Sequence, residues 1–225
     1  GSAKSGPEAA AQFCQNALGL ASSAPVIAVT LLGALAEETP SIPGHAQQAL
    51  MGALSSQMTN TLALVEAAAG TGGAAEVEAM QCLMHWMNLD PTNCNCSLMS
   101  AGQLYATSQG CFQALLKALS CDNEAAFNPA VDCLEKLLVA GPPGNNPAAE
   151  EAAINMAIHA ILANQMKALE EGSYEHARGL ARIAVACCER DPERIAAGAG
   201  DSCQLTEFML RCTQHEERAV VESSM

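Results

Sequence analysis

Aromatic and basic side chains are scarce in this chain. One Trp, two Tyr and four Phe are spread over 225 residues, which leaves a sheet core short of the bulky strand formers it needs. Ala, Leu and Met dominate the apolar half instead, and these residues favour helix nearly everywhere. Only 10 Lys and Arg stand against 24 Asp and Glu, a formal charge of −14. Such a surface repels phosphate backbones and anionic headgroups, so nucleic acid and membranes are excluded as direct partners and basic proteins fit better. No apolar run reaches the roughly 18 residues of a membrane span. A chain that is neither secreted nor membrane-spanning is expected.

The charges that are present lie unevenly. Lys4 is the one basic residue before Lys117, and all six Arg fall between Arg178 and Arg218, so the N-terminal half has an almost unmixed acidic character. The 11 Cys sit mostly inside apolar helical runs, as Cys14, Cys82, Cys111, Cys133 and Cys212 do. That placement suits reduced thiols in a cytosolic or nuclear compartment better than a disulfide scaffold. Gly1-Ser2 reads as a remnant of tag removal. The abrupt start, and the end at Ser224-Met225 on a helical pattern, read as an excised piece of a longer protein.

Apolar residues recur at helical spacing along the whole chain. The first run, Pro7 to Ala21, aligns Phe13, Ala17, Leu18 and Ala21; the second, Pro25 to Glu38, aligns Val26, Val29, Leu32 or Gly33, and Ala36. Pro40 and Pro43 then break the chain, and one long helix is expected from His45 to about Ala69. Gly70 to Gly73 stops it, and a helix from Ala75 to about Leu89 carries Trp86 as its single large anchor. Further helices are expected over Ser97 to Leu119, kinked near Gly102 or Gly110, and from about Asn123 to Val139. After the Gly141 to Pro147 loop come Ala148 to Leu169, Tyr174 to about Ala197, Cys203 to Thr213, and Glu216 to the end.

These ten segments pair into five units, and 225 residues over five units is about 45 each, inside the roughly 40–47 of HEAT or armadillo repeats. A lone helix pair cannot bury both apolar faces, whereas stacked pairs share a continuous core. The expected fold is all-α, a solenoid of about five HEAT-type antiparallel helix pairs spanning 1–225 as one domain. A single closed helical bundle is the alternative.

Particular segments also resemble a family. Cys82-Leu83-Met84-His85-Trp86-Met87-Asn88-Leu89 is similar to the Cys-Leu-x-x-Trp-x-Asn-Leu signature of the transportin-SR and importin-thirteen branch of the importin-β superfamily. Asn128 to Leu134, Ala181 to Glu189 and Leu205 to Met225 resemble later helices of that family, in the same order. The resemblance covers about Pro25 to Met225. It implies the middle HEAT repeats of a nuclear transport receptor that shuttles between cytoplasm and nucleus, wraps protein cargo on a concave face lined by the second helix of each pair, and is regulated by the GTPase Ran. The family's principal Ran site lies in its first repeats, so no Ran-binding residue is assigned.

Sites of chemistry are sparse. Cys94-Asn95-Cys96 with Cys82 and His85 has the atoms for zinc but lacks the usual two-to-four-residue ligand spacing and a second ligand pair. His45, His85, His159, His176 and His215 are candidate bases, yet none sits in a catalytic motif, and His159 among Ile158, Ala160 and Ile161 reads as a core-edge histidine. The glycine clusters at Gly70 to Gly73 and Gly198 to Gly200 lack a following Lys-Ser/Thr and read as helix stops. No catalytic residue, metal or cofactor is assigned.

Partner binding is the better use of the charges. Glu37, Glu38, Glu76, Glu78, Asp132 and Glu135 fall on the second helices, where they would form a negative wall that steers basic cargo. A solvated outer face is the plain alternative. Arg178 and Arg182 are one turn apart, with Glu175 and Glu189 near, and suit ion pairs within the helix or to a neighbouring repeat, with contact to an acidic partner as the alternative.

Overall fold

A computed structural model describes residues 6–42, 45–89, 99–139, 141, 146–170, 174–198, 200–214 and 218–224. Within them the chain is all-helical, with no strand. Thirteen α-helices follow one another: α1 Gly6–Gly19, α2 Pro25–Glu38, α3 His45–Ser56, α4 Met58–Ala69, α5 Gly73–Met87, α6 Ala101–Thr107 and α7 Gln109–Ala118, then α8 Glu124–Val139, α9 Pro147–Glu170, α10 Tyr174–Arg190, α11 Pro192–Ala196, α12 Asp201–Thr213 and α13 Arg218–Ser223.

Three expected helices are each split in two, and each split has a local cause. The long helix over 45–69 breaks at Gln57. There the Gln57 N–H donates to Leu54 O at 2.9 Å, and the Ser56 hydroxyl donates to Ala53 O at 2.7 Å, so a side chain competes for the backbone partners of the helix. The helix through 97–119 breaks at Ser108, two residues before Gly110. Ser108 is extended (φ −146°, ψ 83°) and caps the new helix by accepting the Cys111 N–H. Residues 97 and 98 lie outside the described residues. The third split is at Asp191, held out of the helical region by Pro192 and capping the Arg194 N–H.

Packing arranges the helices in two files. In one file α2 packs on α5, α5 on α8, α8 on α10 and α10 on α13. In the other, α1 packs on α3, α4 on α7, α6 on α9 and α9 on α12. Rungs between the files join α1 to α2, α4 to α5, α7 to α8, α9 to α10 and α12 to α13. The main partners of α1 are α2, α3 and α4, and those of α13 are α10 and α12.

A single apolar cluster runs between the files from Cys14 to Val220. Small buried residues let helices approach closely: a Cβ on Gly179 of α10 would lie 2.7 Å from the Phe127 ring of α8. Trp86 is the largest member, 1% exposed. Its indole Nε1–H donates to Leu32 O of α2 at 3.1 Å, so the one indole in the chain ties α5 to α2.

The buried cysteines carry a pH dependence. Burial pushes the Cys111 and Cys212 thiols up to about 11, from an ordinary 9.0, and pushes Cys82, Cys133 and Cys187 higher still. A folded-state value above the unfolded one gives stability that is complete below the unfolded value and is lost as pH rises past it. Melting temperature is therefore expected to be level from pH 7 to 8.5 and to fall steeply by pH 10. Each such thiol removes at most about 1.4 kcal/mol per pH unit beyond 9. A flat alkaline limb in thermal denaturation contradicts this.

Candidate partner-binding face

One flank of each helix in the α2–α5–α8–α10 file stays at the surface, and the residues on it recur at helical spacing. On α2 these are Thr30, Ala34 and Glu37; on α5, Glu78, Gln81 and His85; on α8, Asn128, Asp132 and Glu135; on α10, Glu175, Arg178 and Arg182. Two clefts open between neighbours. The α2–α5 cleft, about 100 Å³, has Gly33 and Ala34 on one side with Glu37, Glu78 and His85 around it. The α8–α10 cleft, about 330 Å³, is lined by Asn128, Asp132, Glu175, Arg178 and Arg182.

The proposed acidic wall is uneven. Glu37 is well exposed and lies 3.9 Å from His85 Nε2. Glu38, at the end of α2, is exposed. Glu78 accepts the Thr30 hydroxyl at 2.6 Å, which links α2 to α5. Glu76, two residues earlier on α5, points away from Glu78 and toward α7, where Lys117 Nζ is 4.0 Å away. It does not share the face with the others.

Asp132 and Glu135 both receive Arg182, which reaches across from α10; the bond to Asp132 Oδ1 is 2.8 Å. Burial works against the Arg182 charge, but the hydrogen bonds it donates to Glu135 and Asp132, with their negative charges, outweigh it and hold the guanidinium above its ordinary value. This pairing joins α8 to α10, and it is the inter-helix option open to Arg182 in the sequence. A double-mutant cycle on Arg182 and Asp132 is expected to give a coupling of about 0.5–1 kcal/mol, because all three groups remain partly exposed. The coupling should shrink in high salt; zero coupling at low salt contradicts the pairing. Arg178 is more open and lies 3.9 Å from Glu175 on its own helix.

His159 and His176 serve other ends, while His215 and the side chain of His45 lie outside the described residues. His159 is at the surface with 69% of its side chain exposed, 3.1 Å from Asp201 of α12, and not at the core edge. Ile158 and Ile161 face the core while His159 between them turns outward, as a helix requires of its neighbours in sequence. His176 is buried, stacks on Phe127 at 4.2 Å and bonds Cys121 O at 2.9 Å, a structural role. Cys94 and Cys96 lie outside the described residues. Among the described residues no cluster of three or more His, Cys, Asp or Glu is arranged to hold a metal, and no helix is long and apolar enough to cross a membrane. Gly72, Gly73, Gly198 and Gly200 adopt positive φ, and Gly72 and Gly200 directly precede α5 and α12.

Thr30, Gln81 and Asn128 were not singled out from the sequence. Their signal was present: Thr30 is seven residues before Glu37, and Gln81 is three after Glu78, so each falls on the stripe already marked by an acid. No protein-family model, curated protein or solved structure matches this chain.

Proposed function

We propose that the chain is a HEAT-type α-solenoid of about five helix pairs that binds a basic protein partner on the exposed flank of α2, α5, α8 and α10, without chemistry of its own. We further propose that this flank is the concave, cargo-facing side of a nuclear transport receptor of the importin-β superfamily. Ran in that reading acts through other repeats of the full-length receptor, which moves between cytoplasm and nucleus. One observation carries the reading: Glu37, Glu38, Glu78, Asp132 and Glu135 lie on consecutive members of one file of helices, as a partner laid along the stack requires.

Electrostatic recognition of this kind makes association fast and sensitive to salt. Pull-down of partners with the full-length receptor, in the presence and absence of Ran locked with GTP, tests the transport assignment. Release of cargo only when Ran-GTP is present supports it, and indifference to Ran-GTP removes it. A generic HEAT or armadillo scaffold in another cytosolic assembly is the second reading. The Arg182 bridge favours it, since two of the five acids are spent on joining α8 to α10.

A further inference from the structure

The junctions between successive pairs are not equally fastened on the α1–α12 file. Between α6 and α9 the contact is broad, and Glu150 of α9 enters the N-terminus of α6. Its carboxylate accepts the Ser100 hydroxyl and, at 3.3 Å, the Gly102 N–H. Arg190 closes the arrangement from α10, 3.5 Å from Glu150 and 3.1 Å from Gly141 O. Both charged side chains are mostly buried, Glu150 at 14% and Arg190 at 19% exposed.

Between α4 and α7 the fastening is lighter. The two helices touch over a short stretch and leave an open cleft of about 320 Å³, with Glu66 on one wall and Ser108 and Gly110 on the other. Glu66, exposed, takes the Ser108 hydroxyl at 3.1 Å. Its carboxylate lies over Gly110 in the first turn of α7, where a Cβ would sit 2.0 Å from it. Behind it the Cys111 thiol, fully buried, donates to Leu62 O of α4 at 3.0 Å. A negative group over a helix N-terminus is favourable, but an exposed one is held only weakly.

We infer that the α4–α7 junction is the flex point of the stack, and that Glu66 is a clasp that closes it on the N-terminus of α7. Opening separates α4 from α7 along the cleft and uncovers Cys111, while the α6–α9 junction stays shut. The inference rests on the stacked arrangement proposed above.

Labelling of the intact chain with a thiol reagent, followed residue by residue by mass spectrometry, tests it. Cys111 is expected to label well before Cys133 and Cys187, although all three are buried in the same cluster. Glu66→Gln is expected to speed Cys111 labelling about threefold to fivefold, the kinetic equivalent of losing a charge–dipole contact, and to leave Cys133 and Cys187 unchanged. Gly110→Ala, which displaces the carboxylate, should do the same, and Glu150→Gln should not. Unchanged Cys111 labelling in both Glu66→Gln and Gly110→Ala overturns the clasp, as does equal acceleration of all three thiols. A distance between α1 and α12 that matches stacked pairs, measured on the same variants, separates failure of the clasp from failure of the stack.

Discussion

Trp86→Ala is expected to destabilise the chain by about 3–5 kcal/mol. Trp86 is the largest fully buried side chain, and it lies on α5, which packs against α2, α4 and α8. Truncation leaves a cavity at the meeting point of two successive pairs, bounded by helices that are themselves held by their neighbours and so collapse poorly. Trp86→Phe separates packing from hydrogen bonding. It keeps most of the volume and loses the bond to Leu32 O, a cost of about 1 kcal/mol. Leu32 O lies in the interior of α2, where the helix supplies its own N–H, so the orphaned acceptor adds little. Chemical denaturation followed by circular dichroism checks both values. A Trp86→Ala variant within about 1 kcal/mol of the parent would mean that the α2–α5 contact contributes little.

Gly102→Ala is expected to cost about 2–3 kcal/mol, although alanine is normally the better helix former. A Cβ there would stand 2.6 Å from the Glu150 backbone N and 2.7 Å from its Cα, so relief requires main-chain movement of α9 rather than a change of rotamer. That movement also withdraws Glu150 from the Gly102 N–H and from Arg190, leaving Arg190 mostly buried beside a displaced partner. Gly52→Ala is the matched control. Gly52 lies in α3, and a methyl group added to it would meet nothing within 4 Å, so the same change there should stabilise by roughly 0.5–1 kcal/mol. Opposite signs at the two positions, in the same denaturation assay, separate close approach from helix propensity. Equal signs would contradict the α6–α9 geometry.

Helix placement was largely legible because the 3.6-residue apolar period, the prolines and the glycine stops act locally. Pro25 opens α2 where the pattern requires, and α5 begins at Gly73, two residues ahead of the expected Ala75. The break at Gln57 was not legible, and the one two residues before Gly110 was legible as a kink but not as a cap at Ser108. They depend on a serine side chain choosing the backbone over solvent, and apolar periodicity runs straight through both positions. The candidate face was half legible. Spacing placed the acids on the second helices, but their partners come from about 50 residues away: Thr30 for Glu78, and Arg182 for Asp132 and Glu135. Such pairings follow from which helix lies beside which, and a single helix does not encode its neighbour. The Glu150–Arg190 pair was missed for the same reason.

Stacking of the pairs, with each pair covered only by the one before and the one after, is tested most directly by the distance between α1 and α12. Spin labels placed by non-canonical residues at the exposed Gln15 and Gln204 avoid the cysteines and report it by pulsed electron resonance. Four steps between neighbouring pairs, at about 8–10 Å each, give about 32–40 Å. A single distribution centred in that range is the expected result; a main population under about 20 Å would place the two ends side by side in a closed bundle and contradict the stack.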